Sequence, residues 1–161
     1  RSSDLEPEDP CDVDACRESA LRLLDAADRP SGALRDRLID KGYDDETVAA
    51  VVDRLIEVGL VDDESYAQSA VRYCVGRLMG YRGAVMELAR KGVDRPLAER
   101  VCDEARMSGV FEDAAWELGR RSAAKTQGMD PKVRKRRFWS SGGRKGHDAE
   151  TLRAVAHELF D

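Results

Sequence analysis

The sequence predicts an all-α protein of three tandem three-helix repeats in a solenoid-like array, and three observations carry that prediction. Aromatic residues make up only 6% of the chain, while Leu, Ala, Arg, Glu and Asp dominate, types that suit helices and their caps rather than strands. Apolar residues recur at helical spacing almost throughout. A Lys-Gly pair returns at 41–42, 91–92 and 145–146 with the apolar positions in step, a period of about 50 residues. With 161 residues, 42% hydrophobic and 37% charged, the chain is long enough for one ordinary domain or a short repeat array, folded beneath a heavily charged surface.

Residues 1–10, with Pro7 and Pro10 among acidic and small residues, read as a disordered lead. The first residue is Arg1, which points to a trimmed N-terminus or a place within a longer gene product. Repeat one spans 11–61. Its first helix carries Cys16, Ala20, Leu23, Leu24 and Ala27 on one face and breaks at Arg29-Pro30-Ser31. Ser31 is expected to cap a second helix bearing Leu34, Leu38 and Ile39, which Gly42 stops. Asp44 or Asp45 opens a third helix with Val48, Val51, Val52 and Leu55, ended by Gly59.

Repeat two spans 62–109. Asp62-Asp63-Glu64 caps a helix carrying Tyr66, Ala67, Ala70, Val71 and Cys74, and a turn at Gly80-Tyr81-Arg82-Gly83 leads to Val85, Leu88 and Ala89. Gly92 stops that helix and Asp94 starts another with Leu97, Val101, Cys102 and Ala105. At a lag of 50 residues Leu34 matches Ala84, Leu38 matches Leu88 and Val51 matches Val101. Repeat three spans 110–161: Ala114, Ala115, Trp116 and Leu118 lead, and Leu152, Val155 and Leu159 take the places of Ala98, Val101 and Ala105. Phe138 answers Leu34 and Ala84, but Gly142 stands where Leu38 and Leu88 stood. Ser140-Ser141-Gly142-Gly143 is poor helix chemistry, so the middle helix of repeat three is expected to be interrupted: short, bent or frayed.

No stretch approaches the ~20 apolar residues that a membrane helix needs, and no charged-then-apolar signal segment opens the chain. Cysteines 11, 16, 74 and 102 lack zinc-ribbon spacing, and His147 and His157 lie far from them in sequence; reduced thiols in a cytoplasmic protein are the expectation, with no metal and no cofactor. Cys16, Cys74 and Cys102 fall on apolar helix positions, where Cys acts as a small hydrophobe. Two histidines with no nucleophile signature and no phosphate loop leave no catalytic residues to name. The acidic run 62–64 reads as helix capping rather than a metal site.

Charge is unevenly spread. Residues 1–64 hold 8 Lys/Arg against 19 Asp/Glu, and residues 65–161 hold 19 against 13. Between 120 and 145, Arg120, Arg121, Lys125, Lys132, Arg134, Lys135, Arg136, Arg137, Arg144 and Lys145 face only Asp130. Four consecutive cations, Arg134, Lys135, Arg136 and Arg137, precede Phe138 and Trp139, a pattern able to grip phosphates and stack on bases. Phe138 is expected in the core because the repeat register demands an apolar residue there; Trp139 has no such demand. Arg144 and Lys145 extend the basic segment. A second set lies beside turns: Arg29 and Arg82 near the starts of middle helices, Arg72 and Arg77 before Gly80. Composition alone leaves open, for the basic segment, contact with a polyanion or an acidic protein face and a solvated face; for the arginines beside turns, recurrence is compatible with a binding face but does not require one. Lys41, Lys91 and Lys145 before their glycines read first as dipole complements.

These residues together resemble the RecX family of bacterial recombination regulators. The resemblance rests on Arg29-Pro30-Ser31, Leu34, Leu38-Ile39-Asp40-Lys41-Gly42-Tyr43, the run from Leu55 to Ala67, Gly80-Tyr81-Arg82, and Glu87-Leu88-Ala89-Arg90-Lys91-Gly92-Val93. It holds register from about residue 16 to 106 and continues loosely to 161. The junction Gly59-Leu60-Val61-Asp62-Asp63-Glu64, followed by Tyr66-Ala67, is its most specific piece. The resemblance implies an elongated, curved molecule that is not an enzyme and acts in recombination, DNA repair and the SOS response. It implies a partner, the RecA filament on single-stranded DNA, whose ATP hydrolysis, strand exchange and coprotease activity it suppresses. A weak direct DNA contact through repeat three would suit the charge polarity. Monomer is the expected state, since each repeat can bury its face against its neighbours. The rival readings are a helix-turn-helix DNA binder acting without RecA, which the acidic or mixed third helices disfavour, and a generic α-solenoid scaffold. The glycine-serine stretch 140–143 and the acidic N-terminal half depart from the family pattern.

Overall fold

The computed structural model describes residues 6–161; residues 1–5 of the expected lead lie outside the described residues. Every regular element among the described residues is a helix: α1 (Val13–Ala26), α2 (Ser31–Asp40), α3 (Asp45–Glu57), α4 (Asp63–Gly76), α5 (Tyr81–Arg90), α6 (Arg95–Met107), α7 (Val110–Lys125), α8 (Pro131–Arg144) and α9 (Ala149–Phe160). The chain divides into two compact units, one of residues 1–67 with 91–94 and one of residues 68–90 with 95–161, the boundary falling inside α4.

In the first unit α1, α2 and α3 pack pairwise around Cys16, Ala20, Leu23, Leu34, Leu38, Tyr43, Val48, Val51, Val52 and Leu55. Burial raises the Cys16 thiol to about 11, so it packs as a neutral hydrophobe. Asp12 caps α1 by accepting from the Ala15 N–H at 3.0 Å, and Asp44 caps α3 through Thr47 N–H at 2.8 Å. Ser31, expected as the cap of α2, is instead its first helical residue, behind Pro30. Its N–H and hydroxyl donate to the two carboxylate oxygens of Asp63 at 2.7 and 2.6 Å. Asp63, in the acidic run at the start of α4, therefore caps α2, while its neighbour Asp62 caps α4 through Ser65 N–H at 3.0 Å. The Pro10 carbonyl accepts from Asp44 N–H at 3.1 Å, so the chain just before α1 lies on the turn that opens α3.

In the second unit α6 packs on α5 and α7, and α7, α8 and α9 pack on one another. Val71 and Cys74 of α4, Ala84, Val85 and Leu88 of α5, and Ala98, Val101 and Cys102 of α6 are buried, and burial raises the Cys102 thiol to about 12. The last three helices close over Ala115, Leu118, Phe138, Leu152, Val155 and Ala156, with Trp116, Trp139, Leu159 and Phe160 partly buried against them. Phe138 is fully buried and stacks on Phe160 with ring centroids 5.4 Å apart.

Two further sequence expectations need correction. The middle helix of repeat three is not interrupted: α8 runs for 14 residues through Ser140, Ser141, Gly142 and Gly143. Low propensity there is overridden by packing, because Gly142 is buried against Leu152, whose branched end fills the space a side chain would take. The supposed turn at 80–83 is also shorter than expected, since Tyr81, Arg82 and Gly83 already form the first turn of α5. There Gly80 N–H donates to Lys145 C=O at 2.8 Å, and a Cβ at Gly83 would collide with that carbonyl. The first unit repeats the device: a Cβ at Gly32 of α2 would lie 2.5 Å from Gly92 C=O. Gly92 and Gly146 follow their lysines at φ 104° and 87°, which lets each turn present that carbonyl.

Replacing Gly142 by the leucine its register suggests should destabilise the chain although Leu is the better helix former. Overpacking against Leu152 costs about 1–3 kcal/mol, against a propensity gain of under about 1 kcal/mol. Urea unfolding of Gly142→Leu is expected to show a lower midpoint; an unchanged or higher one contradicts the packing argument.

Candidate polyanion interface

The ten basic residues singled out from the sequence separate into those the fold uses and those it leaves to solvent. Arg29 belongs to the first group, because its Nε donates to Leu23 C=O at 3.1 Å and closes the end of α1. Arg134 is bound most fully: Nε donates to Thr126 Oγ1 and Nη2 to Ala123 C=O, both at 3.0 Å, and its guanidinium lies 5.4 Å from the Phe160 ring centroid. Lys135 pairs with Asp161, whose carboxyl is held below the ordinary range by hydrogen bonds from Lys135 and then His157. Lys145 extends its Nζ to Arg77 C=O at 2.8 Å.

The rest are exposed. Arg72 reaches Ser69 Oγ at 3.0 Å, Arg77 reaches the Tyr73 hydroxyl at 3.4 Å, and Arg144 reaches Ser140 Oγ at 2.6 Å. These are neutral acceptors on the surface, easily exchanged for a stronger anion. Arg82, Arg136 and Arg137 are exposed and have no hydrogen-bonding or ionic partner among the described residues.

A cleft of about 480 Å³ in the second unit brings three of the ten together: Arg77 at the end of α4, and Arg137 and Lys145 of α8 and the turn after it. Arg121 and Lys125 of α7 complete a ring of five cations, with Ser122, Thr126 and Ser141 adding hydroxyls and Leu78 and Leu118 apolar surface. No carboxylate, thiol or imidazole lines it. The charge and hydroxyls of such a site suit an anion. The nearby Glu117 takes hydrogen bonds from Arg121 and then Arg120, which hold its carboxyl below the usual range. Arg121 and Lys125 were not among the sequence candidates. Their signal was local: cations four apart, one turn along the face of α7 that carries Leu118 and Ser122.

The α4 edge of the cleft depends on an uncommon backbone. Leu78 adopts φ 63°, a left-handed conformation that costs a branched residue about 1–3 kcal/mol and needs surrounding structure to hold it. Lys145 supplies part of that hold through Arg77 C=O, and His147 adds to it, its Nε2 lying 2.8 Å from Leu78 C=O. A carbonyl only accepts, so Nε2 carries the proton. Burial holds the His147 imidazole below its ordinary range, with the Leu78 hydrogen bond opposing the shift.

Formal charge follows the two units. The first holds 9 Lys/Arg against 20 Asp/Glu and the second 18 against 12. The acidic unit contributes Arg29 alone to the ten candidates, and that one is committed to a helix end.

Three-helix groups in succession, with a cationic cleft within the second unit, define a helical-repeat protein. Residues 16–55 match the family model described as RecX, first three-helix domain. The Regulatory protein RecX of Thermobifida fusca (strain YX) is 37% identical over 147 residues, covering 89% of this chain and 78% of that protein. The Regulatory protein RecX of Mycobacterium sp. (strain JLS) is 49% identical over 77 residues, covering 46% of this chain and 41% of that protein. The crystal structure of RecX from Lactobacillus salivarius shares the fold, with a TM-score of 0.81 at 20% identity over 92% of this chain and 96% of that one. The chain belongs to the RecX family of regulatory proteins.

The division of the cations is measurable as stability. Arg134→Ala should lower the thermal midpoint by roughly 2–8 °C, the consequence of about 1–2 kcal/mol at this chain length. Arg136→Ala should leave it within about 1 °C, since an exposed surface substitution changes stability little. Equal effects would show that Arg134 is not the structural residue of the pair.

His147 gives a pH dependence of known sign. The unfolded chain binds its proton more readily than the folded one, so this contribution is complete above the ordinary imidazole range near 6.5 and is lost as pH falls through the lower folded value. Between pH 7.5 and 5.5 the unfolding midpoint should fall, and in His147→Gln this fall should shrink. Parallel curves for the two proteins would remove His147 as the source.

Proposed function

We propose that this chain regulates the RecA recombinase by binding its filament on single-stranded DNA and suppressing ATP hydrolysis, strand exchange and coprotease activity. Family membership carries this reading: a relative named a regulatory protein RecX is 37% identical and is matched over 78% of its own length. The cationic cleft supports it, since a nucleoprotein filament presents a polyanion alongside protein. Arg136 and Arg137, exposed and unpartnered on α8, are the side chains best placed to meet it.

A helix-turn-helix reader acting on duplex DNA without RecA fits less well. Such a unit needs cations available on its third helix and its flanks. In α6 the arginines are spent on the same helix: Arg95 pairs with Glu99, Arg100 with Glu104 and Arg106 with Asp103. In α3 Arg54 pairs with Glu57.

The decisive measurement is RecA's DNA-dependent ATPase with this protein added below and at stoichiometric ratio. Inhibition is expected at stoichiometric protein, with retention on RecA-coated strand exceeding that on naked strand or duplex. No inhibition at either ratio removes the proposal. Arg136→Glu with Arg137→Glu should weaken retention on the coated strand roughly tenfold near 100 mM salt and flatten its salt dependence; unchanged retention would place the contact elsewhere.

A further inference from the structure

We propose that the cleft between the end of α4, α7 and α8 is a sequence-independent seat for the phosphodiester backbone of a single nucleic-acid strand. The proposal deepens the filament reading and rests on it for the identity of the strand, but the site is a property of this chain alone. Five cations from three separate helical segments converge on about 480 Å³, and no acidic side chain lines the space. Like charges gathered in this way repel one another, and a cleft with low-dielectric walls concentrates their field on whatever enters. Neighbouring carboxylates relieve only part of this, since among the lining cations Arg121 shares Glu117 with Arg120. Lys125 and Arg137 have no ionic partner among the described residues. The strained turn at Leu78 is held beside this charge by Lys145 and His147.

The chemistry selects phosphates over other anions. Three guanidiniums, Arg77, Arg121 and Arg137, offer paired N–H donors to phosphate oxygens, ammonium groups at Lys125 and Lys145 act as point charges, and Ser122 and Ser141 supply hydroxyls at the lining. A continuous strand fits better than a lone nucleotide for two reasons. No aromatic side chain lines the cleft to hold a base, because Phe138 is fully buried and Trp139 packs on the core. The exposed cations also continue beyond the cleft, with Arg136 and Arg144 on α8, where a linear polyanion reaches them and a single nucleotide does not. Absence of a stacking platform also means that the backbone is gripped and the bases are not read.

The test uses the chain without RecA. A labelled 20-nucleotide thymidine oligomer and an abasic deoxyribose-phosphate oligomer of equal length are titrated by fluorescence anisotropy between 50 and 200 mM salt, conditions chosen for their sensitivity to released counterions. Two charge-matched double variants are compared: Lys125→Glu with Arg137→Glu in the cleft, and Lys132→Glu with Arg153→Glu outside it. All four residues are exposed, and urea midpoints confirm folding. The cleft pair is expected to weaken binding at least tenfold and to flatten the salt slope by about 1–1.5, as two lost phosphate contacts require. The outside pair should change affinity less than threefold. The two oligomers should bind within about twofold of each other, and neither ATP nor inorganic phosphate at low millimolar concentration should displace them. Equal losses in both pairs, a strong preference for the oligomer with bases, or displacement by ATP or phosphate would each overturn the proposal. Because RecA is absent, a failed ATPase assay and a failed strand assay remain separate results.

Discussion

The structure depends on one close contact, repeated once in each unit: the start of a middle helix laid against the turn after a Lys-Gly helix end. In the first unit Gly32 of α2 meets Gly92 C=O, and in the second Gly83 of α5 meets Lys145 C=O. Backbone approaches backbone so closely that no side chain fits between, and in the second unit the carbonyl also accepts a backbone hydrogen bond. Its donor is Gly80 N–H, bonded to Lys145 C=O. Much else in that unit follows from this placement. Lys145 is brought within reach of Arg77 C=O and His147 within reach of Leu78 C=O, so the contact that seats α5 also shapes one wall of the cationic cleft.

Within this frame the repeats exchange volume rather than preserve it. Equivalent places hold Leu34, Ala84 and Phe138 in one layer and Leu38, Leu88 and Gly142 in the next. All six are buried. Where repeat three enlarges one position to Phe138 it vacates the neighbouring one, and Leu152, standing where repeat two has Ala98, fills the vacancy. Close packing makes such exchanges coupled: each substitution is tolerated only with its partner.

The basic segment 132–145 divides in the same spirit. Seven cations adjoin one another in sequence, yet helical rotation sends them to different surroundings. Arg134 is turned inward to bind Ala123 C=O and Thr126 at the end of α7, Lys135 meets Asp161, and Arg137 faces the cleft where Arg121 and Lys125 wait on α7. A guanidinium such as that of Arg134, held at both Nε and Nη2, has little left for a ligand, whereas a cation held among like charges gains most from an anion. This sorting, rather than the number of cations, decides which of them stay available at the cleft.

The sequence by itself determined the helices, their order and most of their ends. Apolar spacing of 3.6, Asp44 at a cap and glycines after Lys41, Lys91 and Lys145 are local facts, and local physics decides them. It also placed Phe138 and three of the four cysteines in the core, because a repeat register shows which positions face inward. Tertiary structure decided whatever needed two distant segments. Asp63 caps α2 from 32 residues away, which left Ser31 misread as a cap of its own helix. Leu152 shelters Gly142, which keeps α8 whole against its propensity. The cleft, finally, joins Arg77, Arg121, Lys125, Arg137 and Lys145 across segments nearly 70 residues apart. Charge can be counted along a chain, but whether a cation meets a carbonyl, a carboxylate or open solvent is fixed only when helices pack.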